Sequence, residues 1–347
     1  MKIADREISR AHRPYLIAEM SANHNGSLDR AIEIVDAAAK AGADAIKLQT
    51  YTADTMTLNV EAPGFRIEDA DSLWNGRHLH ELYHEAHLPW EWHAPIFERA
   101  AQLGIHAFSS PFDASAVAFL EKLGAPAYKI ASFELVDLPL IREVARTGKP
   151  MIMSTGMATP AEIDEAVRTA RGAGNDQIVL LKCTSTYPAT PENTNIATIP
   201  HLAAMTGCEV GLSDHTMGCG VAVAATALGA VLIEKHFTLD RADGGVDSAF
   251  SMEPAELAQL RIETERAWQS VGRVSYGDVA AEDGSRTFRR SLYIARDLKA
   301  GEVIDESALR SIRPGFGLAP RHFDTLIGKR VARDVVRGTP ASWDLLG

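Results

Sequence analysis

Eight short apolar runs recur along the chain, at residues 15–19, 45–49, 106–109, 127–130, 151–154, 178–182, 210–213 and 232–236. Each has the length and unbroken hydrophobicity of a strand buried on both faces, as in a parallel sheet. Helical patterns lie between them. Residues 28–41 put Leu28, Ile32, Val35 and Ala39 on one face and stop at Gly42, a natural C-terminal signal. Residues 114–123 stop at Gly124 and 137–147 at Gly148; Thr159 and Pro160 open another helix as N-cap and first residue, and 255–271 closes the series. Eight alternations over about 270 residues predict an α/β fold, a (β/α)8 TIM barrel. The competing open doubly wound sheet usually has five or six strands, and the GxGxxG turn of its dinucleotide-binding members is absent after the first run.

The repeat breaks once. About 60 residues separate the second and third runs, and the extra segment, 51–88, is rich in Trp, Tyr, His and Arg. Insertions of this kind on a barrel are expected to be lids or binding loops. After residue 271 the composition changes. We expect a catalytic barrel over 1–275, a polar linker over 276–288 and a small second domain over 289–347, with strand-like runs at 291–295 and 330–332. So short a tail has a thin core and calls for a partner surface.

Barrel enzymes carry their chemistry at the C-terminal ends of the strands. Here every run ends there in a reactive residue: Glu19; Lys47 and Gln49; Ser109 and Ser110; Lys129, Ser132 and Glu134; Ser154; Lys182 and Thr184; Ser213, Asp214 and His215; Glu234, Lys235 and His236. Buried charges without partners are costly, so so regular a set points to a site. Lys47, Lys129 and Lys182 with Ser110, Ser132, Ser154 and Ser213 form an expected cradle for phosphate and carboxylate. His215 and His236, on adjacent strands, suit a divalent metal whose other positions go to water or substrate. Glu19, Glu134 and Glu234 are candidates for general acid–base work.

The net charge of −11 argues against a nucleic-acid partner, which needs a basic face. The longest apolar run, 221–233, falls short of the roughly 20 residues that span a bilayer. The charged start (Lys2, Asp5, Arg6, Glu7) does not read as a signal peptide, and Cys183, Cys208 and Cys219 lack zinc or CxxC spacing. Together these predict a cytoplasmic protein with reduced thiols.

The strand-end motifs resemble those of the sialic acid synthases. They are Ala18-Glu19-Met20-Ser21-Ala22-Asn23-His24-Asn25-Gly26-Ser27, Lys47-Leu48-Gln49-Thr50, Phe108-Ser109-Ser110-Pro111-Phe112, Tyr128-Lys129-Ile130-Ala131-Ser132, Ser154-Thr155-Gly156-Met157, Cys183-Thr184-Ser185-Thr186-Tyr187-Pro188, Gly211-Leu212-Ser213-Asp214-His215 and Glu234-Lys235-His236-Phe237-Thr238. Arg313-Pro314-Gly315 resembles the family's antifreeze-like (SAF) domain. The resemblance implies condensation of phosphoenolpyruvate with an acetamido sugar, dependent on Mn²⁺, Mg²⁺ or Co²⁺. It implies that Lys47, Ser110, Lys129, Ser132, Ser154, Ser185 and Ser213 hold phosphoenolpyruvate, with Lys182 added by charge and position. His215 and His236 would hold the metal, while Glu19, Gln49, Glu134, Tyr187, Asp247 and Phe288 would meet the sugar and attacking water, with Glu234 close by. Arg313 would reach the sugar's N-acetyl group from the antifreeze-like domain of a partner, in a domain-swapped homodimer.

Lys182-Cys183-Thr184-Ser185 stands where neuraminate-making members typically carry His-Cys-Thr-Asn. The insertion, with Leu73-Trp74-Asn75-Gly76-Arg77, Leu82-Tyr83 and Pro89-Trp90-Glu91-Trp92-His93, resembles that of the pseudaminic acid branch, whose sugar is 2,4-diacetamido-2,4,6-trideoxy-L-altrose. Legionaminic and neuraminic acid synthesis are the alternatives within the family. Outside it stand a non-catalytic carbohydrate-binding protein and a Schiff-base aldolase using Lys129 or Lys182.

Overall fold

A computed structural model describes residues 1–69, 72–277 and 279–347. It divides into two compact units, 1–272 and 273–347.

In the first unit eight parallel strands close into a barrel: β1 (Tyr15–Glu19), β2 (Ala45–Thr50), β3 (His106–Pro111), β4 (Tyr128–Ile130), β5 (Met151–Ser154), β6 (Ile178–Cys183), β7 (Glu209–Asp214) and β8 (Leu232–His236). Closure comes from β8 pairing with β1, Leu232 opposite Tyr15 and His236 opposite Glu19. The helices between and after them are α1 (Leu28–Lys40), α2 (His93–Gln102), α3 (Ala114–Leu123), α4 (Leu138–Arg146), α5 (Pro160–Gly172), α6 (Thr198–Thr206), α7 (Gly220–Ala227) and α8 (Pro254–Val271). Several of their starts are set by side chains that satisfy otherwise orphaned amides: Ser27 accepts from Arg30 N–H, Asp113 from Ala116 N–H, and Thr159 forms a reciprocal box with Glu162.

Alternation along each strand makes two cores. One set of residues, including Leu16, Ile46, Leu180 and Ile233, packs outward against helix residues such as Ile34, Val144 and Val167. The other set, Tyr15, Ile17, Ala45, Phe108, Ile152, Val179, Leu181 and Leu232, fills the barrel interior. Ile3 and Ile8 join that inner set. Ile3 lies in, and Ile8 directly follows, an N-terminal hairpin in which Lys2–Ile3 pairs with Arg6–Glu7. Each fully buried Ile or Leu adds roughly 1.5–3 kcal/mol. The floor of the barrel is therefore sealed, and its open end is where the strands finish.

The apolar run 221–233 divides into α7 and β8 around Leu228-Gly229-Ala230. The insertion contains two helices, Ala53–Met56 and Leu79–Ala86. No helix among the described residues is long and apolar enough to cross a membrane.

In the second unit β9 (Ser291–Ile294) pairs antiparallel with β10 (Leu309–Ile312) over Leu292, Ile294, Ile304, Leu326 and Val331. The expected strand at 330–332 does not form. Arg330 and Val331 make single bridges to Val303 and Leu346, because this small core is closed by loops rather than by a continued ladder. Within 276–288 the chain makes short helical turns at Ala280–Glu282 and Asp283–Arg286.

Candidate active site

Strand alternation sorts the strand-end residues. Glu19, Lys47, Gln49, Ser110, Lys129, Ser154, Ser213, Glu234 and His236 share the inward parity of the interior core. Asp214 and Lys235 have the opposite parity and are paired with each other at 3.0 Å, behind the barrel wall. Their charges are structural. Lys182 also faces outward, and its inclusion in the cradle is corrected on this ground. Its neighbours Leu181 and Cys183 point inward, while its Nζ donates to Cys183 O at 2.6 Å and Thr184 Oγ1 at 3.3 Å.

The inward charges form one buried cluster. Lys47 Nζ lies 2.6 Å from Glu19 and 3.9 Å from Glu234, and Lys129 Nζ lies 3.8 Å from Glu234. Gln49 donates to Glu19 at 2.9 Å, Ser213 to Glu234 at 3.2 Å and Lys47 to Ser110 at 3.4 Å. Burial drives the Glu19 carboxyl above its ordinary range, with Glu234's charge adding to the push. Burial would raise Glu234 too, but Lys129 and Lys47 hold it below that range. Taking such ions from water costs several kcal/mol each, and an apolar replacement is often as stable. A cluster like this at an open barrel end marks function.

Beside it, Gly156 adopts φ +38°, and a Cβ there would stand 2.5 Å from Ser132 Cβ and 2.7 Å from Ser185 Oγ. Ser132 and Ser185 thus converge over a position that only glycine fills without displacement. Among the described residues Ser154 Oγ is buried with no partner, as is Glu234 Oε2. The lysines and these hydroxyls leave donors for an anion.

His215 and His236 stand side by side, ring centres 5.4 Å apart. His215 Nδ1 donates to Thr184 O at 2.8 Å, which fixes its tautomer and leaves Nε2 as a ligand. Burial, then the charges of His215 and Lys47, hold His236 well below its ordinary value, so its ring is neutral, and its Nδ1 is buried with no partner. Two imidazoles with an orphaned nitrogen fit a divalent metal. No group of three or more His, Cys, Asp or Glu converges on a metal position among the described residues, so the remaining coordination falls to water or substrate. Tyr187 and Phe250 pack on these rings at 4.4 and 4.9 Å.

Above the cluster opens a cavity of about 710 Å³. Gln49, Glu134, Ser185, Tyr187, His236 and Asp247 line its polar side. The insertion supplies an apolar wall through Leu73, Trp74, Leu82 and Tyr83. Trp74 Nε1 donates to Val246 O at 3.1 Å, tying the insertion to the loop after β8. Next in that loop, buried Asp247 accepts from the Ser21 hydroxyl and the Ala22 N–H. Ser21 sits at φ +47°, a strained conformation for serine that these bonds and one from Gln49 maintain. Phe288 and Arg313 belong to the second unit. There Gly315 N–H donates to Thr287 O at 2.8 Å, bringing the two segments side by side with both side chains exposed.

A profile of the NeuB family matches residues 34–276. The chain belongs to the NeuB family. In this NeuB-family protein a SAF domain profile matches residues 289–347. The pseudaminic acid synthase of Campylobacter jejuni serotype O:2 is 44% identical over 324 residues, 93% of this chain and 94% of that one. The pseudaminic acid synthase of Helicobacter pylori is 41% identical, covering 95% and 97%. Among solved structures, the spore coat polysaccharide biosynthesis protein SpsE of Bacillus subtilis aligns with a TM-score of 0.68 at 33% identity, covering 100% of this chain and 99% of that one.

Three groups in this NeuB-family site carried no role in the sequence reading. Gly156 was visible only as a motif letter, although a glycine directly after two strand-end hydroxyl residues is a signal for close approach. Cys183 faces inward on β6; burial opposes it, but the neighbouring His215 imidazole draws its thiol down to about 7. Ser21 follows Glu19 by two, the parity that faces the cavity.

Proposed function

We infer that this chain is a pseudaminic acid synthase. The observation that carries the reading is the buried Lys47–Glu19–Glu234–Lys129 cluster lying beneath a cavity polar on one side and apolar on the other. The first feature suits phosphoenolpyruvate, and the second a diacetamido-trideoxyhexose with three methyl groups. Relatives that carry this name support the sugar assignment.

Lys47 and Lys129, with Ser110, Ser132, Ser154, Ser185 and Ser213, bind the phosphate and carboxylate and hold C3 of the enol toward the aldehyde. The enol π pair forms the C3–aldehyde carbon bond and leaves C2 cationic, and the aldehyde oxygen takes a proton from solvent water to become a hydroxyl. Water adds to the cationic C2 and gives a proton to Glu19, which burial has made the more basic carboxylate. Glu234 stays charged and stabilises that cation. The C2 hydroxyl then gives its remaining proton to the phosphate oxygen as the bond between C2 and that oxygen breaks, leaving a 2-keto acid and inorganic phosphate. His215 and His236 would hold a divalent metal, Mn²⁺, Mg²⁺ or Co²⁺, which when bound would supply Lewis-acid polarisation of the aldehyde. Gln49, Glu134, Tyr187 and Asp247 orient the sugar.

The partner is a second copy. Residues 273–347 hold 13 Lys and Arg against 10 Asp and Glu, whereas residues 1–272 hold 22 against 36. This opposition supports docking of the basic unit, with Phe288 and Arg313, over a neighbour's acidic barrel. The three free thiols fit a cytoplasmic setting.

The test incubates the purified chain with phosphoenolpyruvate, Mn²⁺ and, separately, 2,4-diacetamido-2,4,6-trideoxy-L-altrose, its D-mannose counterpart and N-acetylmannosamine. Phosphate release and pseudaminic acid by mass and NMR with the first sugar support the reading. Turnover of another sugar alone moves the chain to the legionaminate or neuraminate branch. No turnover favours a non-catalytic carbohydrate-binding protein.

A further inference from the structure

We propose that Tyr83 and Glu134 together bind the second acetamido group of the sugar, at C4, and so set the preference for a diacetamido substrate. This rests on the synthase reading above. That reading assigns the first acetamido group, at C2, to Arg313.

The insertion helix Leu79–Ala86 turns one face to the cavity: Leu79, Leu82, Tyr83 and Ala86, spaced three, four and seven apart, all line it. Tyr83 brings the one hydroxyl on that face. Its ring is braced edge-on by Tyr51 at 5.9 Å, and its oxygen makes no hydrogen bond to protein among the described residues. Burial, and after it the charge of Glu134, keep the phenol above its ordinary value, so it remains a donor across the working pH range. Glu134 lines the same cavity from the turn after β4, and its Oε2 is buried with no partner among the described residues.

A buried orphan acceptor, a free hydroxyl donor and an apolar wall are the three complements of a secondary acetamide. The carboxylate accepts the amide N–H, the phenol donates to the amide carbonyl, and Leu82 with Phe112 covers the methyl. A C4 hydroxyl offers its donor and its acceptor from a single oxygen, not from the separated N–H and C=O of an amide, and leaves the methyl pocket empty. Leaving a buried partner unmatched is the strongest form of discrimination such a site has.

The experiment compares Tyr83→Phe with the parent chain on two sugars, 2,4-diacetamido-2,4,6-trideoxy-L-altrose and its 4-hydroxy analogue, 2-acetamido-2,6-dideoxy-L-altrose. The ring is kept, and a thermal melt checks that packing is retained. We expect the kcat/KM preference for the 4-acetamido sugar to fall about tenfold, the worth of one buried hydrogen bond, with the loss in sugar KM rather than kcat. An unchanged preference, or an equal loss with both sugars, overturns the assignment. Calorimetric Kd values for the two sugars read the same ratio without turnover. Failure of the parent to convert either sugar therefore counts against the synthase reading, while the binding ratio still decides Tyr83.

Discussion

Two buried histidines outside the metal pair should make this barrel acid-labile. His24 follows β1; its Nδ1 accepts from Gly26 N–H at 3.1 Å, and its ring stands edge-on to Trp92. His93 opens α2, and its Nε2 meets the Thr50 hydroxyl at 2.8 Å. Both are essentially inaccessible, at 1% and 0% exposure, and burial pushes both down from 6.5 to about 4. Protonation is thus disfavoured in the folded chain but free in the unfolded one. The stability these rings contribute is complete above pH 6.5 and is lost as pH falls toward 4. Each loses roughly 1.4 kcal/mol per pH unit in that window. At pH 5 each has lost roughly 2 kcal/mol relative to pH 8, about 4 together, against a total of roughly 5–15 for a domain. Urea unfolding of the barrel, followed by tryptophan fluorescence at pH 8 and pH 5, measures this. His93→Gln, whose amide still reaches Thr50, should show roughly 2 kcal/mol less pH-dependent loss than the parent. The same loss in parent and in both His24→Gln and His93→Gln refutes the reasoning.

Gly156→Ala places a methyl against Ser132 and Ser185 at a strained φ, and should raise the phosphoenolpyruvate KM at least tenfold, well above any rise in sugar KM, in steady-state kinetics. Equal rises would show that the two hydroxyls do not serve phosphoenolpyruvate. His236→Ala removes one of two imidazole ligands and should weaken Mn²⁺ binding by about 10–100-fold, read by calorimetry or by the free Mn²⁺ electron spin resonance signal without turnover. An unchanged Kd places the metal elsewhere.

The barrel was legible because its signal is local: unbroken apolar runs, glycine stops and capping residues recur at a fixed spacing, and β1, β5 and β8 begin and end where the sequence put them. Helix α7 was hidden because Gly220–Ala227 is apolar nearly all round and runs into β8 with no polar break. The strand-end residues were legible as a set but not as individuals. Facing direction depends on which parity the interior takes, and this separates Lys129 from Lys182 and Glu234 from Lys235. The failed strand at 330–332 has the same root: a strand needs a neighbour with free hydrogen-bonding groups, and sequence alone does not supply one.

The bond from Trp74 to Val246 joins positions 172 apart in the chain. Val246 is followed by Asp247, which steadies Ser21, which in turn receives Gln49 beside Glu19. The cavity wall and the proton acceptor are thus links of one chain of contacts. For inheritance this means that the insertion and the loop after β8 are one unit. A recombination that exchanges residues 51–88 alone brings in an indole whose carbonyl partner belongs to another lineage. Sugar preference in this scaffold travels between proteins only when both segments move together, so new specificities should arise by paired replacement and not by swapping a single loop.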